Sequence, residues 1–195
     1  DPCPEMPAEE FVCEQGFFYA RFHNGDGAYV NNNVNYTNLC TDTEPGEPVP
    51  SAFGIDKTVW FTFVAPASGN VTINALNDPN NVGDEIDLQI ALFYSDNNTC
   101  TGNFLEVDSE YDIFNKDETI IIDCLEGGRT YFLQVDGSGG LLGDEDGWFT
   151  LEIIDDGGTS NFPYNNTICA AYNFGTPTGV VQTRTSENNV CANVE

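Results

Sequence analysis

Thirty-two acidic side chains stand against five basic ones in this chain of 195 residues, a net charge of −27, and the carboxylates are the first candidates for chemistry. Carboxylate oxygens are hard donors, and Ca²⁺ gathers about six to eight of them at roughly 2.3–2.6 Å. Three stretches set carboxylates close enough in sequence to aim several oxygens at one centre. They are Asp84, Glu85 and Asp87; Asp108, Glu110 and Asp112 in Val-Asp-Ser-Glu-Tyr-Asp, read as a turn; and Asp144, Glu145 and Asp146. From these, Asp84, Glu85, Asp87, Asp108, Asp112, Asp144 and Asp146 are the candidate calcium ligands, and Ca²⁺ is the one cofactor the sequence suggests. No named motif backs them: Asp144-Glu-Asp-Gly147 lacks the rest of an EF-hand loop, and Asp78-Pro-Asn-Asn-Val-Gly83 has no Glu at the twelfth position. The competing reading is a solvated, self-repelling coat that keeps an exposed protein soluble.

Catalytic patterns are missing from the sequence. The single histidine, His23, sits in the turn-like His-Asn-Gly-Asp-Gly, and no serine stands in a Gly-x-Ser-x-Gly elbow. A glycosidase needs only two flanking carboxylates, but with so many present their existence is uninformative. The sequence therefore reads as a non-enzyme. Nucleic acid is excluded as a partner, because phosphate binding needs clustered Lys and Arg. An anionic bilayer repels such a chain, and no apolar run is long enough for direct membrane insertion.

The seven cysteines are Cys3, Cys13, Cys40, Cys100, Cys124, Cys169 and Cys191, with no C-x-x-C pair. A zinc or thioredoxin-like reading has no support; wide spacing in a turn-rich chain suits disulfides in an oxidising, extracellular compartment. The natural pairs are Cys13 with Cys40, Cys169 with Cys191 and Cys100 with Cys124, each worth on the order of 3 kcal/mol in the chain-entropy model. Cys3 is left over, for a neighbouring module or an outside partner, and sequence alone does not fix connectivity. Asn35, Asn70, Asn97 and Asn165 open Asn-x-Ser/Thr sequons, candidate glycosylation sites that also recur by chance in Asn-rich sequence.

Aromatic and β-branched runs at short intervals, separated by Gly, Pro, Asn and Asp, predict strands rather than helices. The expected strands are Val59–Val64, Val71–Leu76, Ile86–Tyr94, Thr119–Cys124, Thr130–Val135 and Trp148–Ile154. Ile86, Leu88, Ile90 and Leu92 fall on one face of the third, with Asp87 and Gln89 on the other. One buried face per strand, at roughly 25 cal/mol per Å², suffices to hold a sandwich without metal. Trp60 and Trp148 are read as core residues, against the alternative of an exposed binding platform. The fold class is all-β: a jelly-roll-like antiparallel β-sandwich with disulfides.

The organisation carries a repeat. Val12-Cys13 opens a stretch running to Leu39-Cys40-Thr-Asp-Thr-Glu44, and Ile168-Cys169 opens a second running to Val190-Cys191-Ala-Asn-Val-Glu195. In both, an Asn precedes the second Cys by two positions (Asn38, Asn189) and a Glu follows it by four. Residues 1–12 read as a linker, 13–157 as one complete module, and 158–195 as a linker plus the opening strands of a second repeat. The rival reading makes 166–195 a closing strand pair of the same domain. A period this long indicates a tandem array or polymer.

Residues 58–154 resemble the bacterial pre-peptidase C-terminal domain. The resemblance rests on Val59-Trp-Phe-Thr-Phe63, Ala65-Pro-Ala-Ser-Gly69, Val71-Thr-Ile73, Asp87-Leu-Gln-Ile-Ala-Leu-Phe-Tyr94, Cys100, Leu125-Glu-Gly-Gly-Arg-Thr-Tyr-Phe-Leu-Gln-Val-Asp-Gly137 and Gly147-Trp-Phe-Thr-Leu-Glu-Ile153. It covers about half the chain and implies a jelly-roll-like sandwich, attached to secreted proteases or repeated in bacterial surface proteins. Some relatives in that family bind calcium, collagen or carbohydrate. The chain departs from the pattern in its extra cysteines, its Asn-rich 24–38 segment and the lack of an attached peptidase. Two functions follow as expectations. The first is a non-catalytic extracellular structural or adhesive module of a surface or secreted filament, whose partners are neighbouring copies of the same module. The second is an accessory domain of a secreted hydrolase that binds polysaccharide or a matrix protein such as collagen.

Overall fold

Nine strands and no helix make up the described residues of the computed structural model. Those residues are 28–30 (backbone alone), 36–39, 41–43, 46–77, 86–99, 102–138 and 146–158. The strands are β1 (Ala28–Val30), β2 (Tyr36–Thr37), β3 (Val59–Val64), β4 (Val71–Asn77), β5 (Leu88–Ser95), β6 (Phe104–Glu110), β7 (Glu118–Ile122), β8 (Thr130–Gly137) and β9 (Trp148–Asp155). Every pairing is antiparallel. One sheet runs β1-β9-β4-β7, with β2 also on β9; the other runs β3-β8-β5-β6. The described residues are all-β, and the six strands expected from sequence match β3, β4, β5, β7, β8 and β9 to within two residues at each end.

Alternation explains the first sheet. In β4, Val71, Ile73 and Ala75 are buried while Thr72 and Asn74 are half-buried; in β9, Phe149, Leu151 and Ile153 play the same part. Their register sets Ile73 opposite Ile153 and Ala75 opposite Leu151, so one face of the sheet is apolar. That face meets Phe61, Phe63, Leu88, Ile90, Leu92, Leu133 and Val135 of the second sheet in one continuous core. Aromatic edges tie the sheets together: Tyr36 meets Phe61 at 4.8 Å and 79°, and Phe61 meets Phe149 at 6.2 Å and 81°.

The second sheet departs from the expectation of one buried face per strand. From Val59 to Phe63, from Leu88 to Phe93 and from Tyr131 to Gly137 the side chains are buried on both faces. The segment 46–58 is the reason, because it lies across the outer face of this sheet. Phe53 packs there with Trp60, Ala91, Phe93 and Phe132 in a second apolar cluster. Polar ties hold the cover down. The Ser51 N–H and hydroxyl donate to Glu106 at 2.8 and 2.6 Å and Gln134 Nε2 donates to the Pro48 carbonyl at 3.3 Å, while within the segment the Thr58 hydroxyl donates to Glu47 at 2.7 Å. Asp87 and Gln89 accordingly lie buried on the face opposite the main core. Trp60 is fully buried, as expected; Trp148 is only half-buried.

A second correction concerns 104–112. Asp108 and Glu110, read from sequence as members of a carboxylate turn, belong to β6, and only Asp112 lies in the loop that follows. The register against β5 shifts between Leu92 and Phe93, so Val107 is bulged. Phe-Leu-Glu-Val-Asp-Ser-Glu has too few apolar residues to announce a strand, because an edge strand needs only one good neighbour. Charges and a bulge on its free side are how edges avoid pairing with other chains.

One glycine is required by the backbone. Gly69, between β3 and β4, has φ +72°, and a Cβ there would lie 2.4 Å from the Leu125 carbonyl oxygen. The approach is close because the Gly69 carbonyl accepts the Leu125 N–H at 2.9 Å. It fixes the β3–β4 turn against the segment that leads into β8.

Candidate functional site

The loop from β6 to β7 crosses from one sheet to the other, and its fixings bring acids from three elements to one corner. Asp112 anchors the loop twice. Its Oδ1 accepts the Phe114 N–H at 2.9 Å and its carbonyl accepts the Asn115 N–H at 2.9 Å, an Asx turn closed by a backbone bond. The amide of Asn77, at the end of β4, donates to the carbonyls of Lys116 and Ile86 at 2.8 and 3.0 Å, and the Asn77 N–H donates to Asp117 at 2.8 Å. The resulting turn is firmly held, yet its tip displays Ile113 and Phe114 at 63% and 91% exposure.

Glu118, the first residue of β7, is 2% exposed and accepts the Asp112 N–H at 2.7 Å. Burial pushes its carboxyl up to about 7; the Asp112 N–H works against this, while the charges of Glu110, Asp112 and Asp87 add to it. Asp87 is held in place from above. The Tyr111 hydroxyl lies 3.4 Å from its Oδ2 and 2.8 Å from the Ser138 hydroxyl, and the Ser138 N–H donates to the Asp87 carbonyl at 2.7 Å. Of the candidate calcium ligands, Asp87 and Asp112 thus reach the same corner, together with Glu110 and Glu118.

The two other candidates among the described residues do not join them. Asp108 is exposed on β6 and accepts the neighbouring Ser109 N–H at 2.9 Å. Asp146 forms an ion pair with Lys57. Asp84, Glu85 and Asp144 lie outside the described residues, as does Glu145. Among the described residues no group of three or more His, Cys, Asp or Glu side chains is placed to hold a metal ion.

Two acids missed in the sequence carry structural roles. Asp136 is fully buried and accepts three backbone N–H groups, from Asp56, Lys57 and Gly137, each at 2.8 Å. Burial nonetheless outweighs these bonds and pushes its carboxyl up to about 6. It ties the cover segment to β8, and its signal was the Val-Asp-Gly run at 135–137. Glu106 accepts the Ser51 N–H, the Ser51 hydroxyl and the Ser109 hydroxyl, the last at 2.7 Å. Burial pushes its pKa upward, but the serine donors outweigh it and hold Glu106 below the usual range. Both carboxylates hold backbone or side-chain donors of the cover segment.

Among the sequons, Asn97 is exposed in the β5–β6 turn, and Asn70 is half-buried with its Nδ2 donating to the Gly157 carbonyl at 2.8 Å. Asn35 and Asn165 lie outside the described residues, as do Cys3, Cys13, Cys40, Cys100, Cys169, Cys191 and the whole of 159–195. Cys124, in the β7–β8 connection, is disulfide-bonded. On the flank opposite the carboxylate corner, Arg129 stacks over the Tyr94 ring at 4.2 Å, pairs with Glu126 at 3.0 Å and donates to the Ser95 carbonyl at 2.8 Å. Its charge is used within the fold.

No family model matches the chain, and no curated protein matches it.

Proposed function

We propose that this chain is a non-catalytic, extracellular structural and adhesive repeat module of a bacterial surface or secreted filament, and that successive modules join through strand contacts. The observation that carries the reading is the repeat itself: the Cys13–Cys40 stretch returns at Cys169–Cys191 with its apolar, Asn and Glu neighbours in place. The module is read as a jelly-roll-like sandwich of the pre-peptidase C-terminal type. What supports this is that the described residues are all-β, with two antiparallel sheets sharing one core. The adhesive half is supported by Phe114, an apolar side chain on a hydrogen-bonded turn, since such display adds contact area without an ordering cost on binding.

Disulfides brace the module in this reading, with Cys13 to Cys40, Cys169 to Cys191 and Cys100 to Cys124; that Cys124 takes part in a disulfide supports the last pair. Non-reduced peptide mapping tests all three. Light scattering of the full chain over a wide concentration range, with electron microscopy of the largest species, tests the filament. Elongating assemblies are the expected result. Monodisperse monomers at every concentration, with 166–195 protected from proteases on their own module, would refute it.

A further inference from the structure

A strand-joined array needs an acceptor edge, and the four edges of the two sheets differ in fitness for that role. The edge formed by β1 and β2 is three and two residues long. β3 is buried on both faces from Val59 to Phe63. β6 carries Glu106, Asp108 and Glu110 and a bulge at Val107, and short strands, charges and bulges are the devices that block edge pairing. β7 has no bulge, and its one charged residue, Glu118, is buried at its first position rather than displayed along the edge. Its sequence is Glu-Thr-Ile-Ile-Ile, its register on β4 is unbroken from Val71↔Ile122 to Ala75↔Glu118, and β4 is its one hydrogen-bonded neighbour among the described strands. Ile121 is 67% exposed, and Ile122 and Val107 are only partly buried at the seam where β6 and β7 close the core. An apolar, β-branched edge with an unbroken register is a template for another strand.

Charge selects the occupant. Asp117 and Asp123 flank β7, and the module as a whole is strongly acidic, so an acid-bearing strand is repelled. From Gly157 to Ser186 the sequence contains no Asp or Glu, although acids are frequent elsewhere in the chain. Within that stretch Gly179-Val-Val-Gln-Thr-Arg-Thr185 combines β-branched residues with Arg184, one of only five basic residues. We infer that residues 179–185 of one copy add to the free edge of β7 in the next, extending the β1-β9-β4-β7 sheet by a strand. This rests on the filament reading and names its joint.

The test uses the full chain and two variants, followed by analytical ultracentrifugation at physiological salt or above. Ile121→Lys puts a charge on the acceptor edge without touching the core, and Val181→Pro removes a donor N–H from the added strand. The wild-type chain grows in mass with concentration, and each variant alone weakens that growth at least about tenfold with an unchanged melting temperature. Mixing the two variants restores dimers and nothing larger, because one retains the acceptor and the other the donor. Association that survives Ile121→Lys overturns β7 as the acceptor and leaves the filament standing. A wild-type chain of constant monomer mass overturns both.

Discussion

Neutralising Glu118 should stabilise this protein above neutral pH and do nothing below pH 5. Its side chain is almost wholly covered, it receives one N–H, and Glu110, Asp112 and Asp87 supply its surroundings with further negative charge. A carboxyl that titrates near 4.5 in the unfolded chain and at about 7 in the folded one binds its proton more tightly when folded. It therefore favours folding fully below about pH 4.5, and that contribution is lost as the pH rises through about 7. At about 1.4 kcal/mol per pK unit the full loss is roughly 3 kcal/mol, reduced to about 2 kcal/mol once salt screening at the rim is allowed for. Glu118→Gln keeps an oxygen for the Asp112 N–H and turns an amide NH₂ toward the neighbouring carboxylates. For a chain of this size about 2 kcal/mol is roughly 4–8 °C of melting temperature. Thermal unfolding by far-ultraviolet circular dichroism should put the variant above wild type by that amount at pH 8 and within a degree or two of it at pH 4.5. An equal shift at both pH values would show that packing rather than charge governs this residue. A lower melting temperature at pH 8 would show that the carboxylate is used, for instance on a cation.

Asp136→Asn should act in the opposite sense although this carboxyl is also raised. A protonated acid still offers two accepting oxygens to the Asp56, Lys57 and Gly137 N–H groups, whereas an amide nitrogen accepts nothing. The cost is about 1–3 kcal/mol in urea unfolding at pH 7, and an unchanged midpoint would remove Asp136 from its structural role. Gly69→Ala forces a Cβ onto the Leu125 carbonyl at positive φ; a loss of roughly 2 kcal/mol or more is expected, and a neutral result would place the strain elsewhere. Since no three described acids are placed to hold a metal ion, excess Ca²⁺ at pH 8 should leave the melting temperature where chelator leaves it, and a rise that Glu118→Gln abolishes would place a cation at the Asp87, Glu110, Asp112 and Glu118 corner. An identical midpoint in calcium and in chelator counts against calcium there.

Strands with strong patterning were legible because their residues state their environment twice, in composition and in period. β3, β4, β8 and β9 each combine β-branched or aromatic residues with a turn signal such as Ala65-Pro-Ala-Ser-Gly69. β6 was not, since its pairing depends on β5 and on an edge that favours charge. The misplaced acids share one cause. Sequence proximity groups Asp108 with Asp112, but a strand carries Asp108 out into solvent while the turn brings Asp112 back to Glu118. Contacts across 6 and 24 residues, as in Asp112–Glu118 and Asp87–Tyr111, are set by the crossing of the β6–β7 loop between sheets. No local spacing encodes it. The cover segment 46–58 was hidden for the same reason: Phe53 and Ile55 are too sparse to suggest a second apolar cluster until β3, β8 and β5 offer Trp60, Phe132 and Phe93 beneath them.

The distribution of charge then connects stability to assembly. A net charge of −27 separates copies over about a Debye length, roughly 8 Å at physiological salt, so modules approach only where the coat is thin. Both raised carboxyls, Glu118 and Asp136, lie inside the module and tax its own folding as the pH rises. In the proposed array the exposed acids would act between modules instead. A β7 edge with no second neighbour among the described strands is consistent with solubility in so acidic a chain because like-charged edges repel each other: Asp117 and Asp123 bracket the strand. In the proposed array, repulsion between two β7 edges would disfavour symmetric pairing while leaving the same edge open to a strand without carboxylates, so the proposal expects head-to-tail growth rather than closed dimers.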